Sequence, residues 1–270
     1  MIRRSARLRY RPRGIVNKLL IPTLASYLLV IYGCVTGPNI RFISTIDQIK
    51  RSTVPIVCVS INPDKTWEVR SIEGSAFFIT TDERFLTANH VLDAIDDPKR
   101  AEPCPLPALY LPARGWKLGA ANLEVEFFRF FLNRCIRTKE FDLAVCTLAT
   151  PVKQIVPGVL EIAIQPEGTP IAFTGFPLST PVPITSVGQI AGYTDVIEGR
   201  GPQRIVIDKG AGPRASGSPI YNLENGKVVG IMLQRGTGAS AGLAFGITSQ
   251  FIQDFLTNAK VVKENKPSQN

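Results

Sequence analysis

Two apolar runs, residues 204–207 and 227–233, are separated by Asp208-Lys209-Gly210-Ala211-Gly212-Pro213-Arg214-Ala215-Ser216-Gly217-Ser218-Pro219. Glycine and proline this dense extend neither a helix nor a strand, so the stretch reads as a sharply folded loop joining two strands. The same punctuation runs through the chain. Its 22 glycines and 21 prolines break it into short apolar segments, and aromatic residues make up only 8%. That pattern suits an all-β protein with many turns. With 270 residues, 44% of them hydrophobic, there is apolar side-chain volume for one or two cores.

Inside the loop, Ser216 stands among small residues, so the backbone of another chain can approach its hydroxyl. A serine in such a turn is most often a turn residue. Two other places change its weight. Leu86-Thr87-Ala88-Asn89-His90-Val91-Leu92 holds the only histidine, and Phe141-Asp142-Leu143-Ala144-Val145-Cys146-Thr147-Leu148 opens an apolar strand-like run with an acid. Alone, the histidine reads as a packed or surface residue and the acid as a strand-end cap. Together the three supply a hydroxyl nucleophile, an imidazole base and a carboxylate to orient that base.

The order His90, Asp142, Ser216 and the wording around each resemble the trypsin/chymotrypsin superfamily of serine proteases, and within it the bacterial high-temperature-requirement (HtrA/Deg-like) branch. Leu86-Thr87-Ala88-Asn89-His90-Val91 is similar to that branch's T-x-A-H-V, with one residue more. Asp142-Leu143-Ala144-Val145 resembles its D-L/I-A-V/L strand. Ile205-Val206-Ile207-Asp208, then Pro213, then Ser216-Gly217-Ser218-Pro219-Ile220 resembles its I-x-x-D…P-G-N-S-G-G-P-L, with the same spacing from acid to serine. Phe173-Thr174-Gly175-Phe176-Pro177, Thr185-Ser186-Val187-Gly188-Gln189-Ile190, Val229-Gly230-Ile231 and Gly242-Leu243-Ala244-Phe245-Gly246-Ile247 are further likenesses, which together cover residues 53–256. The resemblance implies a chymotrypsin-like fold: two six-stranded antiparallel β-barrels and a short C-terminal helix.

It also implies a mechanism. The first barrel would present His90 and Asp142, the second Ser216, with a polypeptide substrate in the cleft between them. His90 would take the Ser216 proton during attack on a peptide carbonyl and return it to the leaving amine, while Asp142 holds the imidazole tautomer. The backbone N–H groups of Ser216 and Arg214 would form the oxyanion hole. Here the chain departs from the family, which has glycine where Arg214 stands. A Cβ makes glycine's backbone angles costly, so the Arg214 N–H is expected to point away at rest, and one lost donor lowers turnover by ~10²–10³. The alternative reading is a protease-like binding or scaffold protein, weak or silent in catalysis.

For specificity, the family's layout puts the pocket base six residues before the serine, at Gly210. The lack of an acid there argues against lysine or arginine before the cut. Met232 and Leu233 on the wall, with Arg235 at the mouth, suit a small or medium apolar side chain. No Ile-Val-Gly-Gly start appears, so no zymogen step is expected, and no cofactor is implied.

A net charge of +9 invites a nucleic-acid reading, and its distribution argues against one. Arg3, Arg4, Arg7, Arg9, Arg11, Arg13 and Lys18 are unopposed by any acid before residue 19, and without these seven cations the remainder is close to neutral. That is a basic tail, not a basic face, so no nucleic-acid partner is expected. Residues 19–35 are then almost entirely apolar, with Pro22 inside. As a helix they would span about 26 Å, marginal for a ~30 Å hydrocarbon core. Cations before an apolar run keep the N-terminus cytoplasmic and send the chain beyond the run across the membrane. The segment is expected to be a signal anchor, a signal peptide cut near residues 33–37, or a lipoprotein signal. In the last case Val30-Ile31-Tyr32-Gly33-Cys34 resembles a bacterial lipobox and Cys34 carries the lipid. An organellar transit peptide is a further option. The rest of the chain would be extracytoplasmic, periplasmic or at the cell surface in a bacterium.

The expected organisation is a basic tail (1–18), the membrane segment (19–35), a polar linker (36–52), the first barrel (53–150), the second barrel with its helix (151–258) and a polar tail (259–270). The second barrel is read from strands at 160–164, 171–176, 187–192, 204–207, 228–233 and 243–247, and residues 98–118, with five prolines, as a loop. Phe251, Ile252, Phe255 and Leu256 share one face of the final helix. No room is expected for an appended peptide-binding domain. Of the cysteines at 34, 58, 104, 135 and 146, four remain if Cys34 is lipidated, allowing three pairings in an oxidising compartment. Cys58 and Cys146 also fit as buried free thiols in core strands. With one histidine and no ligand spacing, a metal site is not expected.

Overall fold

Short runs of β-branched and aromatic residues between the glycines and prolines become strands, because such side chains pack well on a pleated surface. The computed structural model describes residues 5–9, 40–81, 83–112, 122–150, 152 and 155–260. In chain order the first half comprises β1 (Ser5–Arg9), α1 (Ile40–Ser52), β2 (Thr53–Ile61), β3 (Trp67–Phe78), β4 (Arg84–Ala88), α2 (Asn89–Asp96), β5 (Pro107–Pro112), β6 (Asn122–Arg129), β7 (Ile136–Thr138) and β8 (Leu143–Thr147). The second comprises β9 (Pro170–Gly175), β10 (Ile184–Ile197), β11 (Gly201–Ile207), β12 (Pro219–Asn222), β13 (Val228–Arg235), β14 (Ala244–Thr248) and α3 (Ser249–Asn258).

The second half is a closed six-stranded barrel, β10-β11-β14-β13-β12-β9, as expected. The first is an eight-stranded antiparallel sheet, β1-β6-β5-β2-β3-β4-β8-β7, rather than six strands in a barrel. A bridge between Phe130 and Leu148, with the Ala149 N–H donating to the Arg129 carbonyl at 2.8 Å, joins the end of β6 to the end of β8 and curls the sheet back on itself.

Three expectations need correction. The proline-rich loop at 98–118 contains β5, whose Ala108, Leu109 and Tyr110 are fully buried between β2 and β6. Its prolines, Pro107 and Pro112, fall at the ends, where a missing donor is tolerated. Residues 160–164 form no strand; Leu160 makes one bridge to Val228, and the sixth barrel strand is β12, directly after the Gly/Pro loop. Residues 36–52, read as a linker, carry α1. Thr45, Ile49 and Ser52, at spacings of four and three, make its buried stripe, and the helix packs on β2 and β9.

One buried cluster lies in the second barrel and a larger one spans both halves. Ile171, Phe173, Ile190, Ile205, Ile207 and Ile220 belong to the cluster that fills the second barrel. A larger cluster runs from Val54, Phe77 and Leu86 to Phe251, Ile252, Phe255 and Leu256 of α3, the face expected from the sequence. Phe141 meets Phe251 edge-to-face at 5.5 Å, anchoring the turn that carries Asp142. Two disulfides, Cys58–Cys104 and Cys135–Cys146, pair the four remaining cysteines, so Cys58 and Cys146 are not free thiols. Residues 19–35, expected from the sequence to be a membrane segment, lie outside the described residues together with the lipidation candidate Cys34. β1 pairs antiparallel with β6, Ser5 opposite Glu126. Among the described residues no helix is long and apolar enough to cross a membrane.

Candidate active site

Strand pairing brings the histidine and the acid together. β4 pairs with β8, Ala88 opposite Leu143, so the residues just beyond those ends, His90 and Asp142, emerge side by side. The Asn89 N–H donates to the Asp142 carbonyl at 2.9 Å. One Asp142 oxygen accepts the His90 backbone N–H at 2.8 Å, and the other accepts His90 Nδ1 at 2.6 Å. Asp142 adopts φ +52, which turns its carboxylate onto the first turn of α2, where a negative charge is favoured. With Nδ1 donating, Nε2 is left as the acceptor. The nearby acids are occupied elsewhere: Asp93 and Asp96 pair with Arg137, and Asp97 accepts the Lys99 N–H.

The serine loop is clamped between β3 and β13. The Ser75 N–H donates to the Ser216 carbonyl at 2.8 Å and the Gly217 N–H to the Met232 carbonyl at 2.8 Å. The buried Ser75 hydroxyl donates to the Arg214 carbonyl at 3.1 Å and accepts the Phe176 N–H at 3.0 Å. Just before the serine, the Ala215 N–H donates to the Gly212 carbonyl at 3.2 Å, closing a four-residue turn with Pro213 and Arg214 at its corners. Proline followed by a residue of positive φ is the signature of a type II turn, and Arg214 sits at φ +73.

This corrects the expectation for Arg214: it takes up glycine's conformation instead of turning out of it. The Leu178 N–H holds the Pro213 carbonyl at 2.8 Å, and in a trans peptide the Arg214 N–H then points the opposite way. Among the described residues neither the Arg214 N–H nor the Ser216 N–H has an acceptor. Two free donors thus flank Ala215. A left-handed arginine costs about 1–2 kcal/mol, a factor of about 5–30 in equilibrium.

The side chain of Arg214 is tied down as well. Its Nη1 donates to Glu73 Oε2 at 2.8 Å. Glu73, only 5% exposed, also receives Arg100 Nη2 and the Ser71 hydroxyl on its other oxygen. Burial alone would push the Glu73 carboxyl up. The Arg100 and Ser71 hydrogen bonds and the charge of Arg214 outweigh it and hold the carboxyl below the usual range.

His90, Asp142, residues 211–216 and residues 232–235 line one cavity of about 470 Å³. The first sheet thus contributes the imidazole and carboxylate, and the second barrel the serine. In this arrangement the Ser216 hydroxyl donates to the Leu233 carbonyl at 2.8 Å and makes no hydrogen bond to His90. Met232, Leu233, Gln234 and Arg235 line the cavity. Gly210 does not; it lies against the Ala241 carbonyl, 2.9 Å from where a Cβ would stand. Glu73, Arg100, Ser75 and Leu178 went unnoticed in the sequence. The one hint was Glu73 itself, an acid next to the small and apolar residues 74–78 of β3, which when buried must find a partner.

A model of the trypsin-like peptidase domain matches residues 74–231, more than half of the chain. No curated protein matches it. Among solved structures, an HtrA-type protease, AlgW with a decapeptide, superposes with a TM-score of 0.60 at 14% identity, over 81% of this chain and 67% of that one. At that identity the likeness concerns the fold, and the fold is the one the His90, Asp142 and Ser216 motifs resemble. With the family model matched from Gly74 in β3 to Ile231 in β13, the chain belongs to the trypsin-like peptidase domain family.

Proposed function

We propose that the chain is a serine endopeptidase that cuts polypeptides through an acyl-enzyme, with Ser216 as nucleophile, His90 as general base and acid, and Asp142 as its orienting carboxylate. The observation that carries this reading is the pairing of His90 with Asp142 across a cavity from Ser216, whose loop offers two unbonded backbone N–H groups. For attack, the Ser216 hydroxyl leaves Leu233 and gives its proton to Nε2 of His90 as its oxygen bonds the substrate carbonyl carbon. The developing oxyanion accepts from the Arg214 and Ser216 N–H groups, and His90 then protonates the leaving amine. Met232 and Leu233 favour a small or medium apolar side chain before the cut.

Hydrolysis of an unstructured protein such as casein, lost in both His90→Ala and Ser216→Ala with the fold intact by circular dichroism, is the expected result. The second reading, a protease-like binding protein, draws on the Ser216–Leu233 bond, which keeps the nucleophile off its base at rest. It predicts peptide binding that survives Ser216→Ala, and no hydrolysis by the parent chain.

We further propose that residues 19–35 tether the chain and place residues 36–270 outside the cytoplasm. The two disulfides support an oxidising compartment. A tail held on the cytoplasmic face could not at once form β1 beside β6. Protease added to intact spheroplasts reports on which side of the membrane the domain lies. The proposal expects digestion of the domain while a cytoplasmic marker stays whole; protection until lysis overturns it.

A further inference from the structure

We infer that Glu73 is a positioning residue for the oxyanion hole, acting through the Arg214 side chain; this rests on the serine-peptidase reading above. The turn at Gly212–Ala215 needs a residue of positive φ, a conformation that glycine enters freely and arginine does not. A second force must therefore hold Arg214 in it. Among the described residues the hydrogen bonds of its guanidinium all go to Glu73: one to Oε2 at 2.8 Å and a longer one to the Glu73 carbonyl at 3.4 Å.

Glu73 is well placed to act as a fixed post. It lies on β3 two residues before Ser75, whose N–H and hydroxyl grip the Ser216 and Arg214 carbonyls. Gly74, between them, packs so close to the loop that a Cβ would stand 3.2 Å from the Ser216 carbonyl oxygen. The backbone of Glu73 is thus in register with the nucleophile. Its side chain is 1% exposed, and Arg100 with Ser71 saturates Oε1 and leaves Oε2 for Arg214. Leu178 holds one side of the Pro213–Arg214 peptide by its carbonyl, and Glu73 holds the other by the arginine head. A charged tie between the two halves of the molecule replaces the conformational freedom that glycine would supply.

The test compares Glu73→Gln, Arg214→Gly and the double variant, by steady-state kinetics on a chromogenic peptide and by hydrogen exchange of the Ala215 amide, which closes the turn. A released turn loses the advantage that offsets the left-handed angle, so Glu73→Gln lowers kcat about 5- to 30-fold with KM changed less than about twofold. The Ala215 amide exchanges faster by a similar factor after correction for global stability. In the Arg214→Gly background, Glu73→Gln changes kcat less than about twofold, because glycine holds the angle without a tie. If Glu73→Gln fails to fold, Arg214→Met, which leaves Glu73 paired with Arg100, shows the same fall in kcat and the same faster exchange. Unchanged kcat and exchange, or equal losses in both backgrounds, overturn the inference. A parent chain that neither cleaves peptide nor takes a fluorophosphonate at Ser216 overturns the peptidase reading instead; the Ala215 exchange rate still decides whether Glu73 holds the turn.

Discussion

Replacing Gly217 by alanine tests how the serine loop is held. Gly217 follows Ser216 at φ +87. An alanine Cβ there would stand 1.9 Å from the Ser75 carbonyl oxygen and 2.6 Å from Thr87 Oγ1. Restoring an ordinary contact near 3.4 Å requires the loop and β3 to part by about 1.5 Å. The Ser75 N–H bond to the Ser216 carbonyl, now 2.8 Å, and the Ser75 hydroxyl bond to the Arg214 carbonyl, now 3.1 Å, would then both be broken. At about 1 kcal/mol for each bond and about 1–2 kcal/mol for the left-handed angle, the loss is about 3–4 kcal/mol. For a domain of this size that lowers Tm by about 6–16 °C. Gly168→Ala is the control: φ is +81, but nothing lies within 4 Å of the added Cβ, so only the backbone cost of about 1–2 kcal/mol applies. Urea denaturation of the two unreduced variants measures the difference. Equal destabilisation would mean that the β3–loop contact is not the clamp described above.

Asp142→Asn should lower kcat by roughly 10⁴, because the imidazole is then held in the wrong tautomer, while Asp93→Asn, Asp96→Asn and Asp97→Asn change it little; equal loss at one of those acids and none at Asp142, in the same peptidase assay, would move the orienting carboxylate. Removing Cys58–Cys104, whose cysteines are 46 residues apart, should cost about 4 kcal/mol, and removing Cys135–Cys146, 11 apart, about 3 kcal/mol, by chain entropy. Denaturation of the paired Cys→Ser variants checks the order, and peptide mapping under non-reducing conditions checks the pairing. Glu73, held below its ordinary 4.5, gives stability that is whole above about pH 4.5 and declines as the pH falls through its folded value, since the unfolded chain takes up the proton first. Glu73→Gln should remove that part of the acid slope in urea titrations; identical slopes in parent and variant would contradict the pairing.

His90, Asp142 and Ser216 were legible in the sequence because each sits in a short local pattern, and strand pairing needs only to bring three such patterns together. The α3 face was legible for a similar reason, its period being visible within eight residues. Strands that depend on tertiary context were not. β5 lies among prolines that discourage a strand reading, and only its burial between β2 and β6 makes it one. β12 begins at Pro219, the last residue of the Gly/Pro loop, and its four residues are too few to show a strand period. Glu73 and Arg214 are 141 residues apart, so no local pattern could join them. The positive φ of Arg214 escapes a local reading for that same reason. Intrinsic preference disfavours positive φ at arginine, and the ties that override it come from distant parts of the chain.

The central claim is that Ser216 is a nucleophile activated by His90 and assisted by a formed oxyanion hole. Labelling by a fluorophosphonate tests it most directly, because that reagent needs both the activated hydroxyl and the hole. Intact-mass analysis of the parent chain should show a single adduct, mapped to Ser216 by peptide sequencing. The adduct should be absent in Ser216→Ala and form far more slowly in His90→Ala. An unlabelled parent chain, or an adduct that persists in Ser216→Ala, would contradict the account.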